Sequence, residues 1–141
     1  MNRFAILAFA LFSVGCNGDD TTDTDTDLPA FDLTFTGVSY DVHNGKSVHA
    51  MLQDEAGVAV GAEPTPTTPS IGVFQFVWAD VLDGQDYTIS WYVDVNGDGA
   101  CAAPPADQTW THTVSVAGGD ADYEHTYATN FDPSACAAFV P

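Results

Sequence analysis

The run Tyr87–Asp94 alternates strictly. Tyr87, Ile89, Trp91 and Val93 fall on one side of an extended chain, and Thr88, Ser90, Tyr92 and Asp94 on the other. Extended backbone turns successive side chains to opposite faces, so a run of this period needs a core on one side and cannot wind into an amphipathic helix. The strand it predicts breaks directly into Asp94-Val95-Asn96-Gly97-Asp98-Gly99. Every second residue there carries a side-chain oxygen, and Gly99 permits a sharp turn, so Asp94, Asn96 and Asp98 can aim at one point. This is the first half of a D-x-[DN]-x-[DN]-G calcium loop, in which the carbonyl of Ala100 would be a further ligand. The twelfth position, where a bidentate glutamate belongs, is Pro105, and neither flank has a helical period, so the loop is no EF-hand. Asp107 could close the site from a different angle. The alternative is an acidic Asn-Gly turn that holds no ion.

The same period recurs along the chain. Phe31, Leu33 and Phe35 alternate with Asp32, Thr34 and Thr36, and Val48, Ala50 and Leu52 form a second set. Asp54-Glu55-Ala56-Gly57 turns into Val58–Ala62, and a loop with three prolines, Glu63–Ser70, follows; proline has no amide to give a central strand. Phe74, Phe76 and Trp78 mark the next strand, Leu82-Asp83-Gly84 a turn, and Trp110–Val116 and Tyr123–Tyr127 the last two strands around Gly118-Gly119. About seven short strands with frequent turns predict an all-β chain, a single immunoglobulin-like or transthyretin-like sandwich over residues 28–141.

Three fragments carry a resemblance: Asp54-x-x-Gly57-x-x-Val60-Gly61-Ala62, Gly72-x-Phe74-x-Phe76 and Leu82-x-Gly84-x-x-Tyr87-x-Ile89. Together they resemble the carboxypeptidase-regulatory or transthyretin-like sandwich family. That resemblance implies a structural or binding module rather than catalysis. The acidic loop, for its part, is similar to the calcium loops of extracellular repeats.

Residues 1–15 read as an export signal: Arg3 gives the positive start, and Phe4–Phe12 is an apolar run too short to span a bilayer. Ser13-Val14-Gly15-Cys16 looks like a bacterial lipobox, in which Cys16 is lipidated and anchors the chain in a membrane. An ordinary signal peptide with an incidental cysteine is the alternative. Asn17 after the cysteine implies, by analogy with known lipoproteins, the outer membrane or cell surface. Residues 16–27 then form a tether, because Asn17–Asp27 has no apolar residue and five aspartates that repel one another. Fully stretched, it reaches roughly 40 Å.

Composition limits the partners. There are 20 acidic residues against 2 basic ones and a formal charge of −18. Nucleic acid is excluded, since phosphate binding needs clustered Lys and Arg. A surface protein or a polysaccharide fits better, the latter through exposed aromatics such as Tyr92 or Tyr123. With Cys16 lipidated, Cys101 and Cys136 remain as a pair in an oxidising space, which predicts a disulfide.

The histidines are His43, His49, His112 and His125. A two-residue hairpin at Gly118-Gly119 would set His112 opposite His125 and Trp110 opposite Tyr127. Two facing imidazoles with a third ligand suit zinc or copper. Solvent-facing or hydrogen-bonded histidines are the plainer expectation. No G-x-S-x-G, H-E-x-x-H, phosphate loop or C-x-x-C is present, so no enzyme is expected, a small hydrolase being the remote exception. The expected function is a lipid-anchored envelope sandwich, calcium-stabilised, that binds or supports.

Overall fold

The computed structural model describes residues 29–62 and 64–140. The signal segment, Cys16, the Thr/Asp tether, the expected domain start at Leu28 and Glu63 of the proline loop lie outside the described residues. Six strands follow in order: β1 (Ala30–Val38), β2 (Ser47–Gln53), β3 (Phe74–Leu82), β4 (Gln85–Asp94), β5 (Gln108–Val116) and β6 (Ala121–Thr126). They form two three-stranded sheets, one ordered β3-β1-β6 and the other β2-β4-β5. The chain is an all-β sandwich. Two 3₁₀ segments, Asp41–His43 and Pro133–Phe139, supply the remaining regular structure among the described residues.

Alternation makes the core. Leu33 and Phe35 of β1, Phe74, Phe76 and Trp78 of β3, Val48, Ala50 and Leu52 of β2, and Tyr87, Ile89, Trp91 and Val93 of β4 are all buried. The two sheets meet through rings, with the Phe35 centroid 4.7 Å from that of Trp91. Gly37 of β1 faces Phe74 in the ladder, and a Cβ there would lie 2.2 Å from the Phe74 ring, so only glycine lets that ring cross the strand. One extra residue in β3 shifts the β1–β3 register between Phe31 and Leu33, and Asp80 takes it up at φ +60°. Asp is among the few residues that accept that conformation cheaply.

Three expectations need correction. Val58–Ala62 is not a seventh strand: the Gln53–Ala59 bridge, the Val60 amide to Leu52 carbonyl bond (2.8 Å) and the turn bonds between Val58 and Asp54 tie it down without a continuous ladder. Gly57 and Gly61 both stand at positive φ, and the prolines beyond remove the donors a ladder needs. Next, β5 and β6 are not a hairpin. β5 pairs with β4, placing His112 against Ile89, while β6 runs parallel to β1, placing His125 against Gly37. Ala117–Asp120 instead crosses between sheets, held by the Gly118 amide on Asp83 Oδ1 at 2.7 Å. The apolar faces of β5 and β6 therefore oppose one another across the core rather than lying side by side.

Finally, β4 is covered on both faces. The outward residues Ser90, Tyr92 and Asp94 are buried along with the inward ones. The C-terminal 3₁₀ segment lies over that face, and Phe139 meets the Tyr92 ring edge-on at 4.9 Å. Tyr92 is 2 % exposed, and one face of Tyr123 is covered by the His112 ring, 4.0 Å away and parallel. Neither tyrosine offers an open platform for a sugar ring. Among the described residues the large exposed apolar side chains, such as Val42, Ile71 and Val140, are aliphatic.

Candidate metal centre

The end of β4 and the start of β5 bracket the acidic loop, and three carboxylates close on one another there. Oxygen atoms of Asp94, Asp98 and Asp107 all lie within 4.8 Å of each other, the one such group of His, Cys, Asp or Glu among the described residues. Asp94 and Asp107 are buried, 5 % and 0 % exposed, while Asp98 faces solvent. Asp107 stands thirteen residues beyond Asp94, directly before β5, and the fold brings its carboxylate to the other two.

The backbone aims the carboxylates. Asp94 accepts from the amides of Gly97 (Oδ1, 2.6 Å) and Gly99 (Oδ2, 2.9 Å). Both glycines stand at positive φ, 80° and 75°, where an L side chain would be strained although nothing crowds the space. Asp107 bridges the loop, accepting from Val95 N and Ala102 N at 2.9 Å each. Asp98 accepts from Ala100 N at 2.8 Å and from Asn96 Nδ2 at 2.9 Å. Asn96 Oδ1 takes the Asp98 amide at 3.0 Å, so that oxygen already has a partner inside the loop. The amide of Ala100 is likewise engaged, whereas its carbonyl remains the atom assigned to a cation by the loop pattern.

Charge is the unusual feature. The one lysine, Lys46, donates to the Val95 carbonyl at 2.9 Å rather than to a carboxylate. Amide dipoles soften the repulsion among the three anions without cancelling it; like charges about 4 Å apart cost on the order of a few kcal/mol at protein-surface dielectrics. A dication would remove that cost, and an all-oxygen set suits a hard one.

Two further ties fix the loop to the sheet beneath. Tyr92 Oη donates to the Gly99 carbonyl at 3.3 Å, and Cys101 is joined to Cys136 with Cα atoms 5.3 Å apart. A groove of about 800 Å³ runs alongside, walled by Gly99–Cys101 on one side and Phe139 and Val140 on the other, with His49 stacked on Tyr92 at 4.6 Å.

His112 and His125 do not join the acidic group. They line a separate polar cavity with Tyr123, Asn130 and Asp132. His125 Nδ1 is 2.8 Å from Tyr40 Oη, which accepts from Trp91 Nε1 at 3.2 Å. No local pattern marks Tyr40 or Asp132: each stands alone in a connecting segment, and only the sandwich brings them beside β6 and β5. His43 is tied to Gln108 Oε1 at 2.9 Å.

Burial holds the imidazoles of His43 and His125 below the usual histidine value; nearby Lys46 adds to this for His43 and His112 for His125. Hydrogen bonds from Ser134 and Thr111 hold Asp132 below the usual carboxylate value. All three act in one direction. Below the ordinary imidazole value the unfolded chain takes up protons that the folded imidazoles refuse, so acid favours unfolding; Asp132 adds to this at still lower pH. Metal-free protein in chelator should therefore melt progressively lower as pH falls from about 7.5 to about 5.5. His125→Gln and His43→Gln should each flatten that slope. A melting temperature constant across the window would show that neither imidazole is held neutral.

Compared with known proteins, the chain matches no family model, no curated protein and no solved structure.

Proposed function

We propose that this chain is a lipid-anchored protein of the bacterial cell envelope, whose β-sandwich is a calcium-stabilised, non-catalytic module for binding or support. The observation that carries the calcium reading is the convergence of Asp94, Asp98 and Asp107, two of them buried with no lysine or arginine among their hydrogen-bond partners. Asn96 and the Ala100 carbonyl would complete the oxygen shell, the Asn96 oxygen sharing itself with the Asp98 amide. The absent twelfth-position carboxylate argues for weak binding, roughly 0.1–1 mM as in extracellular modules. Calcium would then act as a strut between β4 and β5 rather than as a signal.

Anchoring rests on Ser13-Val14-Gly15-Cys16 and the polar stretch after it. The tether would hold the sandwich off the surface, and its charge would keep it from collapsing onto anionic lipid. Cys16→Ser should move the protein from the membrane fraction to the soluble one; unchanged membrane association would remove the anchor from the reading. Titration calorimetry of the full chain tests the ion: calcium should bind at one site, and magnesium more weakly, since it demands a tighter octahedron. No heat with calcium up to tens of millimolar would make the loop a turn only.

A further inference from the structure

The exposed apolar side chains of this fold are not scattered. Among the described residues seven large ones face solvent, and four of them, Ile71, Val73, Val77 and Leu82, lie on β3 or in the turn that leads into it. The same stretch is uncharged: no ionisable residue stands between Ser70 and Ala79, in a chain whose formal charge is −18. β3 is also the end strand of its sheet, with β1 as its neighbour. Apart from that ladder, residues 74–81 make no backbone-to-backbone hydrogen bond among the described residues. A free strand edge beside an apolar strip is a template for another strand. We propose that β3 pairs antiparallel with β3 of a second copy of this chain, joining two β3-β1-β6 sheets into one of six strands.

The other edges show why the occupant is β3 itself. A strand that fits there needs a free edge, apolar side chains turned outward and no charge. β2 is bridged along its edge by Ala59 and Thr67. β5 is tied to the C-terminal segment, Thr109 and Thr111 both bonding to Asp132. β6 exposes Asp122 and Glu124, carboxylates that repel an incoming acidic chain. Among the strands of this chain β3 alone meets all three requirements. Antiparallel pairing of a strand with itself is isologous and closes at two copies, and the carboxylates of β6 then guard both outer edges of the six-stranded sheet.

The contact joins side chains that one copy leaves unpacked. Outward residues alternate along β3, so a two-fold axis near Phe76 and Val77 sets Val73, Gln75, Val77 and Ala79 of the two copies side by side. It also brings Ile71 of each copy toward Leu82 of the other. Ile71 and Gly72 form the turn closed by the Ser70–Val73 bridge, at φ 50° and 72°. A β-branched residue is strained at such an angle, and Ile71, 86 % exposed, gains no burial within one chain. A second copy supplies that burial. Two chains of this charge repel through solvent, so they meet most cheaply along the strip that carries none.

The test sediments the full chain carrying Cys16→Ser, so that no lipid drives association, in chelator, so that no cation bridges two copies. A dilution series into the millimolar range is run at low salt and at about 1 M NaCl, where the screening length falls to about 3 Å. A monomer–dimer equilibrium that tightens with salt is expected. Val77→Lys, at an exposed position, should weaken it at least about tenfold even though it reduces the overall repulsion. Glu124→Lys on β6 reduces that repulsion further and should leave the dimer intact or tighter. Amide exchange should slow in residues 74–79 as the dimer forms, and not in β6. A chain that stays monomeric throughout, leaving the edge to a strand of another protein, would overturn the proposal. So would a dimer that Val77→Lys leaves unchanged, one that Glu124→Lys breaks, or assembly beyond two copies.

Discussion

Replacing Cys101 and Cys136 together with serine is expected to lower the stability of the folded chain by roughly 3–4 kcal/mol, which for a domain of this size lowers the melting temperature by roughly 10–20 °C. The two cysteines are 35 positions apart, so the bridge removes a long closed loop's worth of freedom from the unfolded chain. The folded state loses something as well. The bridge is the covalent tie between the acidic loop and the 3₁₀ segment that covers Tyr92 and the outer face of β4. Without it, that segment keeps the Thr109 hydroxyl donating to the Asp132 carbonyl at 2.7 Å, the Asp132 amide donating to the Thr109 carbonyl at 2.7 Å, and the Phe139 contact. Hydrogen exchange should accelerate first in residues 133–139 and the 99–102 loop, while β1 and β3 stay protected. Freed of its cross-link, the unfolded chain expands, so the denaturant slope should rise as the stability falls. A loss below about 1 kcal/mol would show that the bridge contributes little.

Calcium should raise the melting temperature, and the Asp98→Asn variant should reverse its own sign with conditions. In chelator the substitution removes one of three crowded charges and keeps an acceptor for the Ala100 amide, so the variant should be as stable as the parent or more so. In calcium it removes a ligand, so the parent should pull ahead. Because the ion binds only the folded state, the parent gains on the order of 2.7 kcal/mol at a hundred times the dissociation constant. Asp94 and Asp107 are poorer probes: each holds two backbone amides, and replacing either disturbs the loop with or without an ion. Thermal melts of parent and variant, with chelator, calcium and magnesium, give the comparison. If the variant is less stable than the parent by the same margin in all three, the carboxylates serve the turn and not a cation.

The alternation of apolar residues was enough to place six strands and to choose their inward faces, because a period of two has one physical meaning for a half-buried chain. The spacing of Asp94, Asn96 and Asp98 was likewise local: tight backbone geometry alone decides where those oxygens can point. The Cys101–Cys136 pair was legible by elimination, since Cys16 was set apart as the lipidation site. Which strand edge meets which was not legible. Backbone amides and carbonyls are the same in every strand, so alternation cannot tell a β5–β6 hairpin from a β5 that pairs with β4 and a β6 that runs parallel to β1. That choice belongs to the packing of Phe35, Trp91, Trp110 and their neighbours, where the two sheets bury most together. It made His112 and His125 neighbours across the core edge instead of along a ladder, brought Tyr40 and Asp132 to them, and buried Tyr92 under the C-terminus. Local periodicity determined the pieces; only the tertiary burial of their apolar faces decided which polar groups the fold would bring together.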